Sequence, residues 1–128
     1  MALEKAEEDF AFCRNRFFAV LMFGSYARGE AGPYSDIDIC IVLGENRDTG
    51  TILYDEIYPH VRMDHYDVVI FEGCNKELQF DIAARHLVVY AGDREKLTKY
   101  LQPHLKYQPH QKNPQEILDE LRSVVNAI

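Results

Sequence analysis

Short apolar runs, separated by polar or glycine-containing segments, dominate the first part of the chain. Runs of this length that end at glycine or are rich in β-branched residues are typical of strands buried inside a sheet. The predicted strands are, in chain order, residues 17–23, 36–43, 65–71 and 86–90. We therefore expect a small β-sheet built largely from buried strands.

Apolar residues at helical spacing lie around and between these strands, as they do on helices that cover a sheet. The predicted helices are residues 2–15, 51–60, 76–86, 93–105 and 115–127, with a helical turn or two within 25–31 and a tight turn at 32–35. This order of strands and helices predicts one α/β (α+β) domain over residues 1–128, without a linker or an internal repeat.

Composition and charge narrow the class of protein. The chain has 128 residues, 47% of them hydrophobic, which suits a domain that folds without disulfides or a structural metal. There are 21 acidic and 14 basic residues, and the net charge of −7 argues against a protein that grips nucleic acid by its phosphates. The charge does not exclude one nucleoside triphosphate, because a divalent cation can neutralise carboxylates and phosphates together.

Several features of the sequence bear on its compartment. The N-terminus lacks the positive segment and apolar stretch of a signal peptide, and no apolar run approaches the length of a membrane span. Cys13, Cys40 and Cys74 are widely spaced, without a C-x-x-C pair, and are interpreted as free thiols. The sequence therefore predicts a cytoplasmic protein that does not bind a membrane.

Three aspartates stand near the start of predicted strands. Asp36 and Asp38 are two residues apart, so both side chains project from the same face of the strand. Two like charges held together on an apolar strand are costly without a cation. Asp67 is the one acid within the third strand and joins them if that strand lies beside the second, whereas Asp64 is interpreted as solvated. Three carboxylates with open coordination positions predict a site for divalent metal ions and triphosphate oxygens.

Gly24 and Ser25 directly follow the first predicted strand. Glycine lets the backbone approach a phosphate closely, and N–H groups at a helix start attract an anion. The Ser25 hydroxyl adds a donor, although it could equally be a plain helix cap. Arg28 has two equal interpretations, as a group that holds the triphosphate or as one that ties down the next loop. His60 and His65 could suggest zinc, but no matching ligand pair accompanies them, and surface histidines are favoured.

Gly24-Ser25, followed after ten residues by Asp36-x-Asp38, resembles the signature of the polymerase-β-type nucleotidyltransferase superfamily. The segment FGSYARGEA…SDIDICIVL is similar to the minimal nucleotidyltransferase branch, which includes MntA-like antitoxins. The predicted strand before Ala91-Gly92 also resembles the usual ending of the family. The resemblance covers about residues 1–95, with its core at about 17–92, and does not extend to the C-terminal helices at about 93–128.

This resemblance implies a polymerase-β-like fold, in which a small mixed sheet is flanked by helices. It also implies transfer of a nucleoside monophosphate, with AMP from ATP as the expected group, and release of pyrophosphate. Two Mg²⁺ ions are expected, with Mn²⁺ as an alternative. The implied site comprises the catalytic and metal-binding residues Asp36, Asp38 and Asp67 and the phosphate-binding residues Gly24, Ser25 and Arg28.

Members of the minimal branch are commonly paired with a small helical HEPN protein, and some adenylylate a tyrosine of that partner. The resemblance therefore implies a HEPN-type partner and a tyrosine hydroxyl as acceptor. Two alternatives stay open, a non-catalytic module that neutralises its partner by binding and a transferase that acts on a small molecule. The helix predicted over 115–127 has an apolar face that could cover the sheet or dock a partner or a second copy of the chain.

Overall fold

The computed structural model describes residues 2–107, and its centre is a four-stranded sheet. In the order β3-β2-β1-β4, the sheet consists of β1 (Ala19–Phe23), β2 (Ile37–Val42), β3 (Tyr66–Ile70) and β4 (Leu87–Ala91). β1 runs antiparallel to β2 and to β4, whereas β2 and β3 are parallel. The four predicted strands are confirmed, and the sheet is mixed, as the family resemblance implied.

Within residues 2–107, five α-helices lie among the strands. They are α1 (Ala2–Asp9), α2 (Gly24–Ala27), α3 (Thr49–Ile52), α4 (Lys76–Ala84) and α5 (Arg94–Leu101). Three of the helices have a side-chain cap: Asp48 caps α3, Asn75 caps α4 and Asp93 caps α5. Each cap accepts a hydrogen bond from the backbone N–H three residues further on. The fold is thus the α+β arrangement that the sequence predicted.

Alternation along β2 divides the apolar core between the two faces of the sheet. Ile39 and Ile41 belong to the cluster that packs against α1 and α3. Cys40 and Val42 belong to the cluster on the opposite face, which packs against α4 and α5. Asp38 shares the parity of the second pair, so its side chain leaves β2 on the α4–α5 face. It therefore lies at the end of an otherwise apolar row.

The opening helix is shorter than the predicted range of 2–15. It ends at Asp9 and is followed by a 3₁₀ turn over Ala11–Cys13. Asn15 then has a φ of +64°, in the left-handed region, which a right-handed helix does not tolerate. The chain turns there toward β1, so the apolar periodicity continues past the end of the helix itself.

The helix predicted over 51–60 is irregular. After α3, a π-helical turn spans Leu53–Ile57 and a 3₁₀ turn spans Tyr58–His60. Pro59 has no N–H to donate, so a regular α-helical ladder does not continue through this position. The pattern of apolar residues located the segment correctly but did not indicate its helical type.

The C-terminal side of the described chain follows the prediction for 93–105. α5 is extended by a 3₁₀ turn over Gln102–Lys106, and Pro103 lies within that turn. The helix predicted over 115–127 lies outside the described residues. None of the helices within 2–107 is both long and apolar enough to cross a membrane.

Candidate active site

One register row of the sheet brings together the segments that the sequence singled out. Asp38 of β2 stands opposite Phe23, the last residue of β1, and beside Asp67 of β3. Parallel neighbours in register are about 4.8 Å apart and point their side chains to the same face. The structure therefore places Asp38 and Asp67 side by side. Asp36 lies one residue before β2 and is exposed, as is Asp67.

Asp38 is the electrostatic centre of this group. Its pKa is raised above the usual value, first by burial of the carboxylate and then by the charges of Asp67 and Asp36. Arg28 acts in the opposite direction and lowers the same pKa. Because repulsion and partial burial both disfavour the charged form, a cation bound here would stabilise the group.

Gly24 is in direct contact with Asp38. Its φ is +71°, which favours glycine, and a Cβ built at this position would lie 2.1 Å from Asp38 Oδ2. The carboxylate thus occupies the space that any side chain at position 24 would need. The glycine predicted to approach a phosphate therefore also lets Asp38 approach the start of α2.

Ser25 and Arg28 occupy opposite ends of α2. The N-cap position of α2 is Phe23, so Ser25 lies inside the first turn and is not the helix cap. Arg28 closes α2, and its Nε forms an ion pair with Glu30 Oε2 at 3.1 Å. The ion pair supports the interpretation that Arg28 ties down the loop, and the charge of Arg28 also lowers the pKa of Asp38. Arg28 holds the loop through Glu30 and lies within electrostatic range of the carboxylates.

An open cavity of about 370 Å³ is lined by Asp36, whereas Asp38 and Asp67 do not line it. Its polar and aromatic lining includes Lys5, Tyr26, Tyr34, Asp36, Asp64 and His65. One wall is the predicted turn at 32–35, which is confirmed. The Ser35 N–H donates to the Gly32 carbonyl at 3.2 Å, and the Gly32 N–H donates to Ser35 Oγ at 3.0 Å. These two bonds fix both ends of the turn beside Asp36.

The carboxylate set fits a divalent cation in its chemistry. Hard cations prefer oxygen ligands, and three mutually repelling carboxylates are stabilised by a shared positive charge. Within residues 2–107, however, no group of three or more His, Cys, Asp or Glu side chains is arranged to hold a metal ion as it stands. Asp36 and Asp67 are exposed, so little packing opposes the rotation that would bring their oxygens toward Asp38.

Of the two histidines considered as ligands, His65 lines the cavity with Asp36 and His60 does not. His60 is exposed and stacks on Phe12, with the ring centroids 4.7 Å apart, and the exposed His65 has its Nε2 3.5 Å from Asp64 Oδ2. Among the cysteines, all free thiols, Cys13 and Cys40 are buried and Cys74 is half-buried.

Two residues near the site escaped the sequence analysis. Glu30 follows Arg28 by two positions, a spacing that by itself carries no signal for an ion pair. Lys5 belongs to α1 and comes to the cavity beside Asp36 only because α1 packs on the sheet. Such tertiary neighbours cannot be found from local periodicity.

Solved structures with a similar fold come from toxin–antitoxin pairs. One, described as a toxin-antitoxin with AMP-PNP, has a TM-score of 0.59 at 13% identity, covering 99% of this chain and 98% of that chain. Another contains tri-AMPylated Shewanella oneidensis HEPN toxin in complex with MNT antitoxin, with a TM-score of 0.54 at 12% identity, covering 98% and 97%. At these identities the similarity shows a shared fold.

Sequence comparison adds the family. A protein of Methanocaldococcus jannaschii, provisionally named as a protein adenylyltransferase, is 36% identical over 86 residues. That match covers 67% of this chain, and the chain spans 65% of the length of the relative. The family model for the nucleotidyltransferase domain matches residues 11–127. The chain therefore belongs to the nucleotidyltransferase domain family.

Proposed function

We propose that the chain transfers AMP from ATP to a tyrosine hydroxyl of a HEPN-type partner protein and releases pyrophosphate. The observation that carries the proposal is the register of Asp38 with Asp67, directly beside the Gly24 backbone. This places two carboxylates and the start of α2 within one short stretch of the sheet edge. Such proximity is what a group-transfer site on a triphosphate requires.

Asp36, Asp38 and Asp67 are the residues that would hold Mg²⁺, with two ions expected and Mn²⁺ as an alternative. The cations supply neutralisation of the triphosphate charge and of the carboxylates themselves. The raised pKa of Asp38, caused by burial and by the two neighbouring carboxylates, supports this assignment. A carboxylate that the fold leaves repelled and partly desolvated is one that a cation binds favourably.

Gly24, Ser25 and Arg28 are proposed to bind the phosphates. The absence of a side chain at Gly24 lets the Asp38 carboxylate come close to the start of α2, and Ser25 lies in the first turn without being the helix cap. Arg28 lies within range of Asp38 and is held by Glu30. An arginine positioned in this way offers several N–H donors to phosphate oxygens.

A tyrosine of a HEPN-type protein is the proposed acceptor. The support is that a structure of similar fold contains a tri-AMPylated HEPN toxin with an MNT antitoxin, and that the archaeal relative is named as a protein adenylyltransferase. The fold of this chain matches that solved structure over nearly the whole length of both chains. The acidic balance of the chain also favours a protein acceptor over a nucleic acid.

The decisive experiment incubates the full chain with ATP, MgCl₂ and a HEPN-type protein from the same genome. Mass spectrometry of that protein should show addition of AMP at tyrosine. The addition should be lost in the Asp36→Asn/Asp38→Asn double variant and kept in Asp64→Asn, which removes an exposed acid outside the carboxylate group. Failure of the wild-type chain to modify any tyrosine of the partner would contradict the proposal.

Nucleotide binding gives a second readout that does not need the partner. At free ligand about 100 times Kd, binding adds roughly 2.7 kcal/mol to the free energy of unfolding. ATP with Mg²⁺ should therefore raise the melting temperature of the wild-type chain by several degrees, and more than CTP, GTP or UTP does. The shift should vanish in the double variant. A partner complex that forms without any AMP transfer would identify the non-catalytic binding module instead.

A further inference from the structure

Tyr34 is the most exposed large hydrophobic side chain in the described part of the chain. It is 96% exposed, two residues before Asp36, and it lines the same cavity as Asp36 and Lys5. Its position in the turn at 32–35 is fixed by the two hydrogen bonds between Gly32 and Ser35. A backbone held at both ends presents this side chain with little additional loss of conformational entropy.

The surroundings of Tyr34 differ from those of other tyrosines in the chain. The hydroxyls of Tyr26, Tyr66 and Tyr100 donate hydrogen bonds to Ser35, Asp9 and Glu72, and the hydroxyl of Tyr90 accepts one from Asn15. Within the described part of the chain, Tyr34 makes neither a hydrogen bond through its hydroxyl nor a ring stack. Nothing there explains a large aromatic side chain held in solvent beside the site.

The distance along the chain lets Tyr34 reach its own site. Two residues span at most about 7 Å between Cα atoms, which is comparable to the length of a tyrosine side chain. Tyr34 and Asp36 line one open cavity. The phenol is thus close, in sequence and in space, to Asp36, one of the three carboxylates proposed above to hold the metal ions.

We propose that Tyr34 is an acceptor for AMP, so that the chain adenylylates its own tyrosine; this rests on the function proposed above. The Tyr34 hydroxyl oxygen attacks the α-phosphorus of ATP and forms a new P–O bond. The bond from the α-phosphorus to the oxygen bridging to the β-phosphate breaks, and pyrophosphate leaves with the electron pair. The phenol proton passes to water in the open cavity. Nothing is oxidised or reduced, and no further reactant is needed.

The product would change the site that made it. AMP on Tyr34 places a phosphodiester with one negative charge in the cavity that contains Asp36 and Asp64, where Lys5 is the cationic partner. The bulk and charge of the group would obstruct a second ATP. Self-adenylylation therefore limits itself to one AMP per chain and slows modification of the partner.

Tyr54 provides a matched control. It is also exposed, at 71%, but it lies in the π-helical turn at Leu53–Ile57, and its ring packs edge-on against Tyr58 with the centroids 5.2 Å apart. It does not line the cavity that contains Asp36. A general tendency of exposed tyrosines to accept AMP would label both residues, whereas acceptance set by the site would label Tyr34.

The experiment incubates the full chain with ATP and MgCl₂, without a partner, and maps AMP by intact-mass and peptide mass spectrometry. We expect one AMP on Tyr34, no AMP in Tyr34→Phe or in Asp36→Asn/Asp38→Asn, and unchanged labelling in Tyr54→Phe. The rate constant should not change over a tenfold dilution of the protein, because the reaction is intramolecular. A melting curve of Tyr34→Phe checks that the variant is folded.

Each other outcome contradicts the proposal in its own way. AMP on Tyr54, or a labelling rate that rises in proportion to protein concentration, excludes Tyr34 as an intramolecular acceptor. An unlabelled chain that still modifies a HEPN-type protein overturns this inference and leaves the proposed function standing. A chain that modifies neither itself nor that protein overturns both.

Discussion

Two partly buried carboxylates lie at opposite ends of β2 and are held in opposite ways. Near the end of the strand, Glu72 accepts hydrogen bonds from the N–H groups of Leu43 at 2.9 Å and Gly44 at 3.1 Å, and from the Tyr100 hydroxyl at 2.5 Å. At its start, Asp38 meets two further carboxylates, and burial and their charges raise its pKa. Hydrogen bonds within the fold stabilise the Glu72 carboxylate, whereas a bound cation would stabilise the charge of Asp38.

This difference separates an acid that stabilises the structure from one that we propose binds metal ions. Glu72 joins the segment after β3 to the end of β2 and to α5, so its three hydrogen bonds cross the fold. Hydrogen bonds to a charged acceptor are worth roughly 1.5–3 kcal/mol each. Asp38, Asp36 and Asp67 have the opposite effect, because repulsion among the three carboxylates lowers the stability of the protein when no cation is bound. Four substitutions, each compared with a second variant, test this contrast.

The largest effect is expected from Asp67→Asn on AMP transfer. Removing one carboxylate from a metal site forfeits several kcal/mol of transition-state stabilisation, which corresponds to roughly a thousandfold in rate or more. Initial rates of pyrophosphate release with the HEPN-type partner measure it. Glu72→Gln, the control at the other end of β2, should change the rate less than threefold. Retention of Asp67→Asn activity within tenfold of wild type would remove Asp67 from the site.

A pair of glycines isolates the contact with Asp38. Gly24 and Gly29 have φ of +71° and +72°, so alanine costs about 1 kcal/mol of backbone strain at either position. A Cβ at Gly24 would lie 2.1 Å from Asp38 Oδ2, whereas a Cβ at Gly29 has nothing within 4 Å. Because displacement by about 1 Å can cost 10²-fold in rate, we expect Gly24→Ala to lose about that factor in kcat/KM. Gly29→Ala should stay within a few-fold. Equal losses in both variants would assign the effect to backbone strain alone.

Glu72→Gln should lower stability while leaving chemistry intact. Glutamine replaces one carboxylate oxygen by an NH₂ group, which donates and cannot accept. This group would face a backbone N–H or the Tyr100 hydroxyl, which now donate to the carboxylate. A loss of about 2 kcal/mol in the free energy of unfolding is expected, measured by urea denaturation. Tyr100→Phe removes one of the three donors and should cost about half as much. An unchanged urea midpoint for Glu72→Gln would show that this carboxylate is not structural.

The same contrast explains how far the sequence could lead. Continuous apolar runs predicted all four strands. Asp36 and Asp38 could be recognised as candidate site residues because acids are rare at the start of such runs. The pairing of Asp38 with Asp67 could only be conditional, since it depends on the path of the 23 residues between β2 and β3. Glu72 carried no signal, because its N–H donors lie 28 and 29 residues away in sequence. The local sequence pattern therefore reveals an acid within an apolar run, but it does not reveal an acid whose hydrogen-bond partners are distant in sequence.

The smallest expected effect is on the stability of the ligand-free chain and on how that stability changes with pH. The pKa of Asp38 is raised in the folded state, first by burial and then by Asp67 and Asp36. The folded state therefore binds the proton more tightly than the unfolded state, where an aspartate titrates near 3.9. Stability attributable to this residue is fully present below that value and falls as pH rises through the folded pKa. At pH 7 the whole penalty applies.

Asp38→Asn, neutral at every pH, should consequently raise the stability of the ligand-free chain at pH 7. Solvent screening of a half-exposed group limits the gain to about 0.5 kcal/mol. The gain should shrink as the pH is lowered through the raised pKa of folded Asp38 and should be gone below about pH 4. Paired thermal melts across this range measure it, with Asp64→Asn as the control, since that exposed acid is paired with Arg62 at 3.5 Å. Mg²⁺ with ATP should reverse the order, because wild type gains the binding free energy that the variant cannot. A ligand-free Asp38→Asn chain that melts below wild type at pH 7 would mean that the fold, and not a ligand, already satisfies this carboxylate.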